Sequence, residues 1–191
     1  VDSDPSFGDG WARLAWCYAK LVMQSCVDDH AATLAQGFAA GRRAIALDDA
    51  SSAAHLALGT VHIWAEETEI GANEALRAVD LNPNNAEALM AAGNRLDLIG
   101  RAEEGVPMME RALELNPRDP VRWRYMAYLS RANIALGNGE HAIDWAHKAV
   151  SLRPELAEAQ FRYGVALANM DRVDEARTAF AKCDDIRPGY I

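Results

Sequence analysis

The sequence is poor in cysteine, and its basic residues are outnumbered by acidic ones. Its 191 residues include three cysteines without C-x-x-C spacing, so we expect neither a disulfide framework nor a cysteine metal site. Such sparse cysteine is typical of a reducing compartment, and we expect a cytoplasmic location. With 28 acidic and 19 basic residues the net charge is −9. This argues against nucleic-acid binding, because phosphate contacts need clustered Lys and Arg.

Long apolar runs and catalytic motifs are missing as well. No run approaches the ~20 residues that span a bilayer, so we expect no membrane insertion. There is no H-E-x-x-H, no phosphate-binding glycine loop and no G-x-S-x-G sequence. His55 and His62 lie too far apart for chelation by the pair alone, and we interpret both as packing residues. The sequence therefore predicts no enzyme, no catalytic residue, no metal site and no cofactor.

A short phrase that ends in proline recurs at a nearly fixed interval. It reads LNP, LNP, LRP and IRP, ending at Pro83, Pro117, Pro154 and Pro188, so the steps are 34, 37 and 34 residues. A period in the 30s is typical of stacked helical hairpins. We therefore predict an all-α chain of about five hairpins and ten helices. The predicted units span residues 6–49, 50–83, 84–117, 118–154 and 155–188.

Small residues recur where the two helices of each hairpin would cross. Glycine inside a helix costs roughly 1 kcal/mol relative to alanine, so its repeated use suggests that the helix axes approach closely there. The positions concerned are Gly59, Gly93, Ala127 and Gly164.

Two units are longer than the others. The first has about ten extra residues. We expect both of its helices to be long, with Asp28 or Asp29 capping the second. The fourth unit has three extra residues, nearly one helical turn, so we expect its first helix to run one turn longer.

With this period, the closing phrases and the small crossing residues, the chain resembles the tetratricopeptide repeat family over nearly its full length. The resemblance implies a right-handed α-solenoid that forms a single array over residues 1–191. It also implies that the first helix of each hairpin lines a concave groove, the usual binding surface of solenoids.

A narrower resemblance concerns residues 28–59 and 115–154. Both segments are similar to the repeat regions found C-terminal to bacterial class III adenylate cyclase domains and to some winged-helix regulators. This resemblance implies a regulatory or scaffolding module in a bacterial signalling protein such as an adenylate cyclase. Because the chain begins with Val1 and not with methionine, we expect it to be a piece of a longer protein.

Basic and aromatic residues cluster on the predicted groove face of the last two units, and an asparagine of the third unit belongs to the same face. Arginine matches carboxylates bidentately and tyrosine adds a hydroxyl donor, so the cluster predicts binding of an acidic peptide. The alternative is that the arginines pair internally with Glu158 or Asp119. The candidate residues are Asn94, Arg124, Tyr125, Tyr128, Arg131, Phe161 and Arg162.

A second candidate surface is apolar and belongs to the N-terminal part of the groove. Either it binds an apolar part of a ligand, or the long first hairpin folds over and buries it. Its residues are Trp16, Leu56, Ile63, Trp64 and Met90.

The sequence thus predicts a non-catalytic protein–protein interaction module whose ligand is a protein or a peptide. Two alternatives stay open. One is an oligomerisation element that self-associates through its ends, where Phe180 and Ile186 are apolar. The other is a small-molecule sensor domain with an enclosed pocket near Trp16 and Trp64.

Overall fold

The computed structural model describes residues 4–190, and within that range the chain forms ten α-helices and no strand. The predicted all-α fold of about ten helices is confirmed. None of the described helices is both long and apolar enough to cross a membrane. The helices are α1 Gly8–Met23, α2 His30–Leu47, α3 Ser52–Trp64, α4 Thr68–Leu81, α5 Ala86–Leu98, α6 Ala102–Leu115, α7 Arg122–Ala135, α8 Gly139–Leu152, α9 Ala157–Ala168 and α10 Val173–Ile186.

The helices form two compact units, which we describe separately. The first unit ends at Ile99 and holds α1–α5, and the second begins at Gly100 and holds α6–α10. In the first unit each helix packs on the next one, and α3 also packs on α1 and α5. The second unit shows the same pattern, with α7 packed on α9. Within each unit this is the neighbour pattern of stacked hairpins. A single array over residues 1–191 stays a prediction.

Alanine dominates the buried core of both units. Because its side chain is a single methyl group, alanine lets neighbouring helices pack with little space between their backbones. The core around α1–α3 contains Ala12, Ala15, Ala19, Ala40, Ala44, Ala54, Ala57 and Val61. The core around α8–α10 contains Ala142, Ile143, Ala146, Ala166, Leu167, Ala176 and Ala179.

Helices α3 and α4 approach most closely at a pair of glycines. A Cβ atom added to Gly59 would lie 3.0 Å from the carbonyl oxygen of Gly71 and 2.9 Å from the Cβ of Glu74. The same added atom would lie 3.0 Å from Nη1 of Arg95. This arginine is 5% exposed, and its guanidinium donates to Gly71 O at 3.3 Å and to Thr60 Oγ1 at 2.8 Å. Burial lowers the pKa of Arg95 to about 10, although Glu87 acts to raise it.

The space beside the glycine of the last hairpin is filled by an aromatic side chain. A Cβ atom on Gly164 would lie 2.5 Å from the ring of Phe180. The close approach of two backbones is therefore confirmed at Gly59, whereas Gly164 makes room for a large side chain.

We expect Gly59→Ala to lower the free energy of unfolding by about 1–3 kcal/mol, because the new methyl group overpacks the contact between α3 and α4. This loss should exceed the gain in helix propensity of about 1 kcal/mol. Gly8→Ala is the matched control, since an added Cβ there meets only ordinary contacts at 3.7 Å or more. Urea unfolding followed by circular dichroism measures both variants. Equal stability of the two would contradict the packing argument.

The turn inside each hairpin depends on one residue in the left-handed conformation. In the second hairpin this is Glu66, with φ of 63°, and the next N–H, of Glu67, donates back to the carbonyl oxygen of His62 at 2.9 Å. This bond satisfies a carbonyl at the end of α3 that lacks a partner within the helix. The residues with positive φ in the five turns are Ser25, Glu66, Gly100, Gly137 and Asp171.

Replacing Glu66 by glycine should stabilise the first unit, because a left-handed conformation costs most residues about 1 kcal/mol and costs glycine little. Asp171→Gly should stabilise less, since aspartate tolerates this conformation better. Gly100→Ala should destabilise, although an added Cβ would meet nothing within 4 Å. Thermal unfolding of the three variants tests this order, and a destabilised Glu66→Gly would refute it.

The recurring proline has a structural role between hairpins. In five turns the N–H of the fourth residue donates to the carbonyl of the first at 3.0–3.3 Å. Proline suits the second position because its ring fixes φ near the value that this turn needs. Asp49 holds that position in the first of these turns. The turns comprise residues 48–51, 82–85, 116–119, 153–156 and 187–190.

The longer first unit has the predicted long helices. Helix α1 has 16 residues and α2 has 18, compared with 13 in α3 and 14 in α4. Asp29 caps α2, because its Oδ1 accepts a hydrogen bond from the N–H of Ala32 at 2.8 Å. The predicted lengths are confirmed.

The extra residues of the fourth unit lengthen the C-terminal end of α7. Helix α3 ends five residues after Gly59 and α5 five residues after Gly93, whereas α7 ends eight residues after Ala127. The start of α7 is delayed, because Asp119 Oδ1 accepts from the N–H of Val121 at 2.8 Å and holds a separate turn there. The C-terminal end of α7 is therefore extended by three residues, but α7 as a whole has 14 residues compared with 13 in α3 and in α5, so the prediction of a first helix one turn longer is wrong.

Candidate functional site

Six of the predicted site residues lie together in the second unit. We call them the arginine–tyrosine surface. Residues three or four apart on a helix share a face, so Arg124, Tyr128 and Arg131 lie along one face of α7. Helix α9 packs beside α7. All six side chains are half-buried. The surface consists of Arg124, Tyr125, Tyr128 and Arg131 on α7, with Phe161 and Arg162 on α9.

Tyr128 lies at the electrostatic centre of this surface. Burial raises the pKa of its phenol, while Arg124, Arg131 and Arg162 act in the opposite direction. Glu158 raises the pKa further. The phenol therefore stays protonated at neutral pH and can donate a hydrogen bond. The three guanidinium groups that act on it are donors suited to an anion.

The arginines of the surface also lie within cation–π distance of aromatic rings. The guanidinium carbon of Arg131 lies 5.7 Å from the ring centroid of Tyr128, and that of Arg162 lies 5.9 Å from the centroid of Phe161. Arg124 lies 5.3 Å from the centroid of Trp123. Such contacts favour the charged guanidinium beside each ring, and its N–H groups can donate in its plane to a carboxylate.

Two carboxylates were considered as internal partners for these arginines, Asp119 and Glu158, and they lie in different surroundings. Asp119 is engaged in the turn before α7, where it accepts from Val121 N and from Asn116 Nδ2 at 3.1 Å. Glu158 is half-buried on α9 and acts on Tyr128 together with the arginines. Glu158 is therefore one internal group with which an acidic ligand of this surface would compete.

A cleft of about 470 Å³ adjoins the arginine–tyrosine surface and shares Arg124 with it. We call it the C-terminal cleft. Tyr190 connects the two regions, since its ring centroid is 5.8 Å from that of Phe161. The sequence did not predict most of the residues of the C-terminal cleft, because turns between hairpins carry no helical periodicity. The side chains at its edge include Trp123, Glu155, Glu158, Ile186, Arg187 and Tyr190.

Asn94 and the predicted apolar residues belong to the first unit. Asn94 is half-buried on α5. Trp16 and Leu56 line a cleft of about 380 Å³ between α1, α3 and the start of α5, which we call the N-terminal cleft. Trp16 is 39% exposed, so the long first hairpin does not bury it.

The other three apolar candidates do not line the N-terminal cleft. Met90 is only 3% exposed and forms part of the core. Ile63 packs between α3 and α4, where its Cδ1 would lie 2.9 Å from a Cβ atom on Gly71. Trp64, 38% exposed, lies at the C-terminal end of α3. The sequence pattern placed all five on one face, but their depth depends on how closely α3, α4 and α5 pack.

The two histidines considered as metal ligands each have a carboxylate partner. Nδ1 of His55 is 2.6 Å from Oε2 of Glu74, and Nδ1 of His62 is 2.5 Å from Oε2 of Glu67. The ring of His62 also contacts Phe38 edge to face at 4.8 Å. Among residues 4–190 no three His, Cys, Asp or Glu side chains are grouped so that they could hold a metal ion.

Comparison with known proteins agrees with the repeat architecture. The family model for the tetratricopeptide repeat matches residues 157–190, which hold α9 and α10. Small glutamine-rich tetratricopeptide repeat-containing protein 2 of Mycosarcoma maydis is 32% identical over 103 residues, 54% of this chain and 28% of that protein. The peroxisomal targeting signal receptor of Candida albicans is 26% identical over 202 residues, 85% of this chain and 34% of that protein. The chain thus spans about a third or less of these relatives.

A solved structure supports the fold over almost the whole chain. YrrB, described as a TPR protein with an unusual peptide-binding site, superposes with a TM-score of 0.68 at 20% identity, covering 92% of this chain and 86% of YrrB. The resemblance to the tetratricopeptide repeat family is therefore confirmed. Proteins of this family typically mediate contacts between proteins and are not catalysts.

Proposed function

We propose that this chain is a non-catalytic protein-interaction module and that its arginine–tyrosine surface binds an acidic segment of a partner protein. The observation that carries this proposal is the grouping of Arg124, Arg131 and Arg162 around Tyr128 on the packed helices α7 and α9, where each arginine acts to lower the pKa of the phenol. The guanidinium groups supply only donors and the protonated phenol can supply another, and a carboxylate is an acceptor that matches them.

The expected ligand is an extended peptide with neighbouring carboxylates. A hydrogen bond to a charged group contributes about 1.5–3 kcal/mol, so two or three of them can hold a short acidic segment. The C-terminal cleft offers Ile186 and Tyr190 for apolar contact beside the charges. The names of two similar proteins, a targeting signal receptor and a protein with a peptide-binding site, support a peptide as the ligand class.

Removing two arginines should abolish the preference for acidic peptides. The probe is a blocked peptide with three consecutive glutamates, compared with its glutamine counterpart by fluorescence anisotropy. We expect the native chain to prefer the glutamate peptide at least about tenfold, which corresponds to ~1.4 kcal/mol, and we expect the double variant Arg124→Ala, Arg131→Ala to lose that preference.

The matched control is the double variant Arg111→Ala, Arg177→Ala. It removes the same charge from α6 and α10, where both arginines form ion pairs within their own helices. The control should keep the preference for the glutamate peptide. The proposal is refuted by a native chain that binds the two peptides equally. It is also refuted by a control variant that loses as much of the preference for the glutamate peptide as the test variant does.

Glu158→Gln should strengthen the binding of the glutamate peptide about threefold to tenfold. This change removes a carboxylate that acts on Tyr128 together with the arginines, and an anionic ligand would no longer be repelled by it. Isothermal titration at low and physiological salt measures the effect, which should shrink as salt screens the charges. Unchanged or weaker binding would show that the ligand carboxylates do not approach Glu158.

The proposed setting is a regulatory or scaffolding part of a longer bacterial signalling protein, such as an adenylate cyclase, in the cytoplasm. The sequence similarity of residues 28–59 and 115–154 supports this setting, and the free cysteines Cys17, Cys26 and Cys183 suit a reducing compartment. The coding sequence next to this chain tests it directly. A neighbouring cyclase or regulator domain would support the proposal, and an unrelated domain would refute it.

An oligomerisation element is the second candidate function. The observation that favours it is the exposure of apolar residues on α10, where Val173 is 49% and Ile186 is 40% exposed. Light scattering over a range of concentrations decides the point, since a chain that stays monomeric cannot self-associate through α10.

A further inference from the structure

Met170 lies at the turn of the last hairpin and packs on the first residue of α8. A Cβ atom added to Gly139 would lie 1.8 Å from Sδ of Met170, 2.7 Å from its Cγ and 3.1 Å from its Cε. The side chain of Met170 therefore fills the space that a side chain at position 139 would need. Because Gly139 begins α8 and Met170 follows α9, this contact joins the fourth hairpin to the fifth.

A second interaction connects the same two elements. Arg172, two residues after Met170, donates two hydrogen bonds of 2.7 Å to the carboxylate of Glu175. These bonds raise the pKa of Arg172, and the charge of Glu140, next to Gly139, acts in the same direction. The last turn thus lies against the start of α8 through one apolar contact and one electrostatic interaction. We call this region the hairpin seam.

Met170 is also the most exposed methionine of the chain. Its exposed fraction is 38%, which gives dissolved oxidants access to the side chain. The sulfur of Met23 is nearer to a donor, since it accepts a hydrogen bond from Nζ of Lys20 at 3.7 Å. The methionines other than Met170 are half-buried or buried: Met23, Met90, Met108, Met109 and Met126.

Three other hairpins carry hydrocarbon side chains at the position of Met170. This position directly precedes the residue with positive φ in each hairpin turn. The second, third and fourth hairpins have Ala65, Ile99 and Leu136 there. Packing at this position therefore does not require a sulfur atom. The thioether of Met170 gives the hairpin seam a reactivity that the equivalent hydrocarbons lack.

We propose that Met170 is a reversible oxidation site for hydrogen peroxide and that its sulfoxide releases the last hairpin turn from α8. A sulfur lone pair attacks one peroxide oxygen, the S–O bond forms and the O–O bond breaks. Sulfur loses two electrons, and the other peroxide oxygen leaves as water with the proton of the transferred one. The sulfoxide is polar and attracts water, so it packs less well on the backbone of Gly139 than the thioether does. Methionine sulfoxide reductase with a thiol reductant reverses the step.

The test uses the native chain after its exposed thiols, Cys17 and Cys26, have been alkylated with iodoacetamide. In dilute hydrogen peroxide, peptide mass mapping should show that Met170 gains one oxygen at least about fivefold faster than any other methionine. Amide hydrogens of residues 142–145 and 170–173 should then exchange at least about threefold faster than before oxidation. The oxidised chain should also unfold about 2–4 °C lower. Treatment with the reductase and dithiothreitol should reverse both changes.

Three variants separate the hairpin seam from general oxidation. Met170→Leu keeps an apolar side chain, as Leu136 does in the fourth hairpin, so peroxide should change neither its exchange at these residues nor its unfolding temperature. Met170→Gln places a polar group of similar length there and should show the faster exchange without peroxide. Met23→Leu is the matched control, because it removes a half-buried methionine of the first unit and should keep the full response.

The proposal is overturned if Met170 is oxidised no faster than the half-buried Met23 and Met108. It is also overturned if oxidised Met170 leaves amide exchange at the hairpin seam unchanged, or if the Met170→Leu variant responds to peroxide as the native chain does. No ligand takes part in these measurements, so their outcome does not depend on the arginine–tyrosine surface.

Discussion

The close approach of paired helices is the constraint on which the rest of each unit depends. At Gly59 and Gly71 the backbones of α3 and α4 leave no room for a methyl group, and alanine fills most of the remaining core. Because such a core has few flexible side chains, it determines how the helices lie against one another. The first helix of each hairpin packs on the second helix of that hairpin and on the first helix of the neighbouring hairpin. One face of it is then left on which residues can vary without loss of packing.

Arg95 shows how little space this constraint leaves and how a polar group can still occupy it. Its guanidinium lies where two glycines keep α3 and α4 close, and it donates to a backbone carbonyl and a threonine hydroxyl. The energetic cost of this burial appears in its pKa, lowered to about 10. An arginine at this helical position looks like a surface residue in the sequence, since the missing side chain of Gly59 is what makes room for it.

The features that the sequence predicted well are those that repeat. Proline at the second position of the hydrogen-bonded turns and small residues at the crossings recur with the hairpin, so the helices and their number followed from spacing. Features that occur once were missed. Glu66 adopts a left-handed conformation where another turn has Gly100, and the depth of Met90 depends on packing between helices. Arg187 and Tyr190 reach the C-terminal cleft from a turn, where helical periodicity gives no signal.

The net charge of the whole chain is a poor guide to what the arginine–tyrosine surface binds. At physiological salt a charge is screened beyond about 8 Å, whereas a helix of 14 residues is about 21 Å long. A ligand on the arginine–tyrosine surface therefore responds to Arg124, Arg131, Arg162 and Glu158, and hardly to the acidic residues elsewhere. In an array built from similar hairpins, ligand preference is a local property that neighbouring residues on two helices can set independently of the scaffold.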